Sequence, residues 1–346
     1  MTLYRPEPIL RHDAVRVDRS RPPWRAAERL LDGETLIVTD HYGTGAEILD
    51  QLQSILRPPP QQASYRVRQG HRRTLRQASL RLLAPIVEHR LALTDARHIG
   101  FLRELYPELS RTFFLPFVQV QELHGAWVRY EEGVNLAVLG HRVHPFYGTY
   151  VPTRVSHLEL FGTWISQYQG PRTRAIDVGT GCGVLALMLG RAGFERVLAT
   201  DDNPNAIESL RRELRRLPSP PSIDPVVTDL LGEDDTLVDL VVFNPPWIQG
   251  APEGLLDRAL NFEDGLFERF FDQASERLSP SGRIVLVFSN VIQLLQPEHP
   301  HPILTELEAG RFQLVQKLQR KVKSQTRSGQ RRRTRERVEI WELARA

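Results

Sequence analysis

Four consecutive residues have the types needed to hold a planar nitrogen. Asn244-Pro245-Pro246-Trp247 directly follows the apolar run LVDLVVF, which is typical of a buried strand. The Asn244 side-chain oxygen and the Pro245 carbonyl oxygen can accept both N–H bonds of an –NH2 group. Two prolines stiffen the loop, and Trp247 offers a flat face for stacking a base or an amide plane. The alternative is a Pro-Pro strand exit with Trp247 in the core.

A glycine-rich turn forms the second cluster. The strand-like run TRAIDV leads into residues 177–183, Asp-Val-Gly-Thr-Gly-Cys-Gly, and a helical pattern follows. The glycines allow a tight turn and close approach of a ligand to the backbone. The next strand ends in Asp201, whose carboxylate can accept hydrogen bonds from ribose hydroxyls. Asp229 and Leu230 follow the third strand, although Asp229 alone would suit a helix cap or a loop.

The glycine spacing decides which ligand this turn suits. A dinucleotide fingerprint needs G-x-G-x-x-G, whereas here Gly179, Gly181 and Gly183 are followed by Val184. The pattern D-x-G-x-G-x-G resembles motif I of class I methyltransferases, which implies S-adenosyl-L-methionine as the cofactor. The resemblance implies cofactor contacts from Asp177, Gly179, Thr180, Gly181, Gly183, Asp201, Asp229, Leu230 and Asn244.

The Asn-Pro-Pro-Trp motif resembles the [N/D]-P-P-[Y/F/W] motif of HemK-type glutamine methyltransferases and of enzymes that methylate exocyclic amines of nucleic-acid bases. The resemblance covers about residues 145–345 and implies an N-methyltransferase acting on a macromolecule. Its catalytic residues would be Asn244, Pro245 and Trp247. The segment VPTR resembles the family's segment before motif I. Implied substrate contacts are Pro246, Trp247, Tyr150, Thr153 and Arg154.

Three hypotheses for the function stay open, two of which differ in the methyl acceptor. An RNA or DNA base is favoured by two basic segments. The run from Lys317 to Arg337 holds ten Lys or Arg and one Glu, and RVRQGHRRTLRQ covers residues 66–77. Such runs can contact phosphates, or they can simply be solvated. A protein glutamine, as in release-factor enzymes, is the second hypothesis. The third is an inactive RNA- or protein-binding chain that kept the fold.

The C-terminal part must supply the elements that position these residues. From residue 155 onward, short β-branched runs alternate with helical patterns, which predicts a mostly parallel sheet covered on both faces. Helices are expected over 182–191, 204–217 and 264–278, with Asp264 as a helix cap. Two strand-like runs near the end predict an antiparallel pair. The family implies a Rossmann-like, seven-stranded sheet with an antiparallel C-terminal strand.

The turn-rich segment HPFYGTYVPTR at 144–154 suggests a domain boundary near residue 140. Residues 1–140 would form a smaller α/β or α+β domain that recognises the substrate, and residues 141–346 the cofactor-binding domain. Within 26–56 the pattern predicts helix, strand, turn and helix, with HYGTG as the turn. This unit could be a degenerate second Rossmann-like half, for which no cofactor is expected.

The composition excludes several classes. A chain of 346 residues with 41% hydrophobic and 25% charged residues is typical of globular domains. No run of eighteen apolar residues exists, so no membrane span is expected. The start, MTLYRPEPILRHD, lacks the apolar core of a secretory signal, so none is expected there. The one cysteine, Cys182, fits a reducing cytoplasm. His141, His144 and His157 match no zinc pattern, and no metal is predicted.

Overall fold

A computed structural model describes residues 2–10, 13–60, 65–152, 155–249, 261–322 and 336–346. The chain divides into two compact units, one of Arg5–Glu131 and one that combines Met1–Tyr4 with Glu132–Ala346. The boundary predicted at residue 140 falls inside the second unit, because Leu136 and Leu139 are buried in the core of that unit. No helix in the described ranges has the length and apolar character needed to cross a bilayer.

The N-terminal unit is a mixed sheet with helices. Its strands are β1 (Val15–Val17), β2 (Leu36–Val38), β3 (Leu82–Val87), β4 (Arg90–Leu91) and β5 (Phe113–Pro116). Its helices are α1 (Pro23–Leu31), α2 (Tyr42–Ile55), α3 (Tyr65–Ser79), α4 (Phe101–Leu105) and α5 (Phe117–Glu132). Strands β1, β2 and β3 pair in parallel, whereas β4 and β5 both pair antiparallel with β3.

The segment HYGTG is not the turn that the sequence suggests, because helix α2 begins at Tyr42 and includes both glycines. Gly45 is needed for packing within the helix face. A β-carbon at this position would lie 2.2 Å from the Cε2 atom of Phe117. The Phe117 ring also contacts Tyr42, at 5.0 Å between ring centroids. Glycine therefore marks a close helix contact here rather than a chain reversal.

The C-terminal unit contains the remaining elements. Its strands are β6 (Val134–Leu136), β7 (His141–Val143), β8 (Arg174–Val178), β9 (Arg196–Asp201), β10 (Ile223–Val227), β11 (Val238–Phe243), β12 (Ile248–Gln249), β13 (Asn261–Phe262), β14 (Leu278–Ser289), β15 (Phe312–Lys321) and β16 (Arg337–Arg345). Its helices are α6 (Ser156–Gln167), α7 (Val184–Arg191), α8 (Pro204–Arg216), α9 (Leu266–Arg277), α10 (Val291–Leu295) and α11 (Pro302–Ala309), with a 3-10 turn at Ala137–Leu139.

Seven of these strands form one sheet in the order β10-β9-β8-β11-β14-β16-β15. All neighbours pair in parallel except β16, which runs antiparallel to both β14 and β15. This arrangement confirms the predicted Rossmann-like class of fold, with its antiparallel strand near the C-terminus. In such a sheet, ligands bind beyond the carboxyl ends of the strands.

Two of the predicted helices begin later than the sequence pattern suggests. Helix α7 begins at Val184 rather than at residue 182, and Gly183 before it has a φ of +81°. Helix α9 begins at Leu266, and Gly265 before it has a φ of +82°. The prediction of Asp264 as the helix cap is therefore wrong, because Gly265 occupies the N-cap position and Asp264 lies one residue before it. Left-handed glycines delay both helix starts because the chain must turn sharply from a strand or loop.

The core lies on both faces of the sheet. Side chains alternate along the central strands, so that Val242, Val285 and Val287 pack on one face. Val241 and Phe288 are in a second buried cluster on the other face. This two-sided burial explains why LVDLVVF and RIVLVF are almost continuously apolar in the sequence.

A buried carboxylate joins helix α6 to the antiparallel strand β16. The Glu342 Oε2 atom accepts hydrogen bonds from Trp164 Nε1 at 2.8 Å and from Gln316 Nε2 at 2.6 Å. The Arg283 guanidinium lies 3.6 Å from Glu342 Oε1. A buried carboxylate without partners costs free energy. These three contacts offset that cost and allow Glu342 to lie within the sheet.

We expect Trp164→Phe to lower the free energy of unfolding by about 1–3 kcal/mol, because Glu342 would lose a buried donor. Urea unfolding followed by far-ultraviolet circular dichroism measures this loss. The matched control is Trp127→Phe, since the Trp127 indole packs against the Phe101 ring and the Tyr130 ring. Equal losses in the two variants would mean that ring packing, and not the hydrogen bond to Glu342, stabilises this joint.

Candidate active site

A cavity of about 420 Å³ opens at the carboxyl ends of strands β8, β9 and β11. This volume is in the range of small-molecule and cofactor sites. The loop after β8, the end of β9, the loop after β10 and the loop after β11 all contribute to its wall. Gly148, Tyr150 and Pro152 add a further wall from the segment before helix α6.

The loop after β8 follows a path that only glycine adopts without strain. Gly179, Gly181 and Gly183 have φ values of +62°, +54° and +81°. A β-carbon on Gly183 would also lie 2.4 Å from Leu210 Cδ1 of helix α8. The Thr180 N–H donates to the Thr200 carbonyl oxygen at 2.8 Å and ties the loop to β9. Backbone atoms of the loop therefore line the cavity at close range.

Asp177 holds this loop from behind. Its Oδ2 atom accepts from Thr180 Oγ1 at 2.6 Å and from the Ala186 N–H at 2.9 Å, which links the loop to helix α7. Its Oδ1 atom is buried without a hydrogen-bond partner in the described chain. Burial raises the pKa of Asp177 to about 7, although both hydrogen bonds lower it. Asp177 acts through the loop, because it is not among the residues that line the cavity.

Asp201 lies on the cavity wall at the end of β9. Its Oδ2 atom accepts from the Gly181 N–H at 2.8 Å, and its Oδ1 atom accepts from the Asn203 N–H at 2.9 Å. Each carboxylate oxygen has two lone pairs, so each keeps the capacity to accept one more donor. Burial raises the pKa of Asp201 to about 6, against these two backbone hydrogen bonds.

The loop after β10 brings Asp229 and Leu230 to the same cavity. Leu230 has a φ of +46°, an unusual value for a side chain other than glycine. Its carbonyl oxygen accepts from Thr200 Oγ1 at 2.6 Å, which stabilises the turn. Asp229 forms an ion pair with Arg269 of helix α9. Both side chains of this pair are more than half exposed, so its contribution to stability is small.

The loop after β11 presents Asn244 and Pro246 to the cavity. The Asn244 Oδ1 atom is shielded from solvent and has no hydrogen-bond partner in the described residues. Pro245 is buried behind the wall. The Trp247 indole N–H donates to the Val287 carbonyl oxygen at 3.4 Å, and its ring meets His157 edge-on at 5.6 Å. Trp247 thus packs against the core beside the cavity, and its stacking role stays a prediction.

The cavity brings together most residues that the sequence singled out. These are Gly179, Thr180, Gly181, Asp201, Asp229, Leu230, Asn244, Pro246 and Tyr150. Asp177, Gly183, Pro245 and Trp247 stand behind or beside the wall. Thr153 and Arg154 lie outside the described residues, as does most of the basic run between Lys317 and Arg337.

Charge on the cavity wall is mostly negative. Five carboxylates line it, and Arg269 is the one basic residue among the lining side chains described; the carboxylates are Asp201, Asp202, Asp229, Glu263 and Asp264. A wall of this charge attracts a cationic ligand and opposes a pyrophosphate. Both the negative charge of the cavity wall and the glycine spacing therefore disfavour a dinucleotide as the ligand.

Several lining residues carried no functional signal in the sequence. Asp202 and Asn203 follow Asp201 directly, so the strand end could have pointed to them. Glu263 and Arg269 come from the segment around the start of α9. Arg269 meets Asp229 across 40 positions of sequence, and no local pattern reveals such a pair.

The histidines have structural surroundings. His157 is buried, which lowers its pKa to about 4 and keeps the ring neutral at pH 7. The His141 Nε2 atom lies 3.6 Å from Glu213 Oε1, and the backbone N–H of His144 donates to Glu213 Oε2 at 3.0 Å. In the described ranges, no group of three His, Cys, Asp or Glu side chains could hold a metal ion.

Known proteins resemble the part of the chain that forms this site. A tRNA1(Val) (adenine(37)-N6)-methyltransferase of Porphyromonas gingivalis is 31% identical over 140 residues, which are 37% of this chain and 55% of that protein. A ribosomal RNA small subunit methyltransferase C of Chromohalobacter salexigens is 29% identical over 195 residues, 55% of this chain and 50% of that protein. A release factor glutamine methyltransferase of Mycolicibacterium smegmatis is 38% identical over 110 residues, 31% of this chain and 37% of that protein.

The chain thus spans about half the length of the first of these relatives. A family model described as "Methyltransferase small domain" matches residues 163–307, which include the glycine loop, Asp201, Asp229 and Asn244. The fold, the loop and the family model agree with one another. Residues 163–307 of this chain therefore match the methyltransferase small-domain model, and they have the sheet topology and the glycine loop expected of class I S-adenosylmethionine-dependent methyltransferases.

Proposed function

We propose that this chain transfers a methyl group from S-adenosylmethionine to an exocyclic amine or amide nitrogen of a macromolecule, with a nucleic-acid base as the favoured acceptor. One observation carries the proposal. Asn244 lines the cavity that Gly181 and Asp201 also line, and its Oδ1 atom is a shielded acceptor with no hydrogen-bond donor among the residues that the structure describes. A buried acceptor of this kind needs a partner, and an N–H group of a substrate supplies one.

The residues present fit the cofactor. Asp201 has lone-pair capacity for two ribose hydroxyls, and the open backbone at Gly181 leaves room for the methionine part. The negative wall suits a ligand that carries a sulfonium and an ammonium group. Asp229 and Leu230 would contact the adenine. When bound, the cofactor supplies the methyl carbon, and its sulfur keeps the electron pair of the broken C–S bond.

The chain's own contribution to the reaction is orientation of the acceptor nitrogen. Asn244 Oδ1 and the Pro245 carbonyl oxygen would accept the two N–H bonds of the –NH2 group and direct its lone pair at the methyl carbon. As the new N–C bond forms, positive charge develops on nitrogen, and these two oxygens stabilise it. The nitrogen then releases one proton to solvent. No strong base is required, because the departing thioether is neutral.

The acceptor class rests on two supports. Relatives named for a tRNA adenine N6 position and for ribosomal RNA support a nucleic-acid base. The relative named for release-factor glutamine supports the alternative, a protein amide. A catalytically inactive binding protein is less consistent with a site that combines Asp177, the three glycines, Asp201 and Asn244. We propose substrate recognition as the role of the N-terminal unit, and the cytoplasm as the compartment, since Cys182 is a free thiol.

Transfer of labelled methyl groups into an extract of cells that lack the gene tests the acceptor. The labelled products are divided between nuclease and protease treatment. Label that nuclease removes supports a nucleic-acid acceptor. Label that survives nuclease and is removed by protease supports glutamine instead. A folded sample that binds no S-adenosylmethionine in isothermal titration would support the inactive binding protein.

We expect Asn244→Ala to lower the turnover number at least about 100-fold, because one of two acceptors for the substrate N–H bonds is lost. The Kd for S-adenosylmethionine should change less than about threefold, since all the expected cofactor contacts other than Asn244 remain. Asn244→Asp keeps an oxygen at this position and should retain part of the activity. The matched control is Asn135→Ala, an exposed asparagine on β6. Near-normal turnover in Asn244→Ala would refute the proposed role of this side chain.

Cofactor affinity should depend on pH through Asp201. The pKa of this carboxyl is about 6 in the free protein, and only the ionised form accepts from both hydroxyls. Affinity should therefore reach a plateau above about pH 7 and fall as the pH drops through the pKa of Asp201, to about tenfold weaker at pH 5. Isothermal titration across this range measures it.

Asp201→Asn should bind weakly and with little pH dependence between pH 5 and 7. Asp224→Asn is the matched control, because Asp224 is an exposed carboxylate on β10. It should keep the pH profile of the unchanged chain. If Asp201→Asn kept the same profile, another group such as Asp177 would be the titrating one.

A further inference from the structure

Helix α3 of the N-terminal unit has an unusual charge. From Arg57 to Arg81 the chain holds seven arginines and no aspartate or glutamate. Acidic side chains three or four positions away from basic ones stabilise a helix, and like charges at that spacing destabilise it. This helix has no acidic side chain, so its own charges repel one another. A polyanion would offset that repulsion.

Three of these arginines are exposed and unpaired. Arg72, Arg73 and Arg76 are solvent-exposed, and none has an ion pair or hydrogen-bond partner among the described residues. Positions 72 and 76, and positions 73 and 76, are neighbours on a helix surface because they are four and three residues apart. The three side chains therefore form one basic patch, which we call the α3 arginine patch.

The helix that carries the patch is fixed to its unit. The His71 Nε2 atom lies 2.6 Å from the Leu56 carbonyl oxygen at the end of α2. Ala78 is buried, and Arg81 just after the helix reaches the Leu30 carbonyl oxygen of α1 at 3.5 Å. These contacts hold the buried side of α3, while the arginine patch faces solvent. A fixed backbone reduces the entropy lost when the patch binds a partner.

A flat aromatic ring lies on a neighbouring helix. Trp24 on α1 is 45% exposed, and the Arg25 guanidinium lies 5.2 Å from the centre of its ring. Helix α1 packs against α2 and contacts α3. An exposed ring beside a cation is a platform on which an unpaired base can stack. Unpaired bases are a feature of folded RNA rather than of duplex DNA.

We propose that the α3 arginine patch, together with Trp24 exposed on α1 of the same unit, binds the phosphate backbone of a folded RNA. This deepens the proposed function and rests on it for the claim that the bound RNA is the methyl acceptor. The binding itself follows from charge, exposure and the aromatic platform. The patch supplies affinity without base specificity, because phosphate contacts carry no sequence information.

The test is fluorescence anisotropy of a labelled transfer RNA with the full chain, over a series of salt concentrations. The triple variant Arg72→Gln, Arg73→Gln, Arg76→Gln removes three positive charges. It should raise the Kd at least about tenfold and reduce the slope of log affinity against log salt by about two. The control removes three other exposed arginines of the same unit; these are Arg97, Arg103 and Arg111, each replaced by Gln. The control should change both quantities far less.

Two further variants separate charge from folding. Replacing Arg72, Arg73 and Arg76 by Lys should restore most of the affinity, because a phosphate contact needs only the charge. Trp24→Ala should weaken transfer RNA binding and leave binding of a duplex DNA unchanged. Equal Kd values for the triple Gln variant and the unchanged chain would overturn the inference, as would a tighter affinity for duplex DNA than for transfer RNA.

A failure of the proposed function can be told apart from a failure of the α3 arginine patch, because methyl transfer and RNA affinity are measured separately. Methyl transfer is measured on the same samples, with Asn244→Ala as the inactive reference that should still bind RNA. Loss of RNA affinity in the triple Gln variant supports the patch even if no RNA accepts a methyl group. Methyl transfer to RNA that is undiminished in the triple Gln variant at low RNA concentration would overturn the patch and leave the proposed function standing.

Discussion

The site depends on one buried carboxylate and the backbone it restrains. Asp177 accepts hydrogen bonds from Thr180 and from the first turn of α7, and these bonds hold the glycine loop in its left-handed path. The loop in turn directs the Gly181 N–H at Asp201. If the loop relaxed, Asp201 would lose a donor and its position on the cavity wall. Asp177 and Asp201 therefore both accept hydrogen bonds from the glycine loop. The shape of this wall of the cavity depends on these bonds.

The wall of the cavity and the α3 arginine patch have opposite charges, and they lie in different units of the chain. The carboxylates suit a cationic cofactor, and they would repel the phosphates of an RNA acceptor. Affinity for such an acceptor must then come from elsewhere in the chain. The net charge of +3 conceals this division, because it sums regions of opposite sign.

The sequence predicted those features whose residues are neighbours along the chain. The glycine loop, Asp201 at a strand end and Asn244 after an apolar run are each local patterns, and their meeting at one sheet edge follows from parallel strand topology. Contacts between residues that are far apart along the chain have no such local pattern in the sequence. Gly45 looks like a turn residue until Phe117 is placed beside it, and Arg269 has no visible tie to Asp229. For Trp247 the sequence left two alternatives, stacking on the substrate or packing in the core; the contacts with Val287 and His157 pack the ring beside the cavity, and its stacking role stays a prediction.

Strand β16 lies between β14 and β15 in the sheet, although it follows both of them in the chain. During synthesis, β14 and β15 therefore leave the ribosome with no partner on the sides that β16 will occupy. Each waits as an open strand edge, which is the kind of surface through which nascent chains pair wrongly. The sheet is complete only when β16 pairs with both β14 and β15. A chain interrupted between β15 and β16 would lack more than one strand of the sheet, because β15 would have no neighbour to pair with.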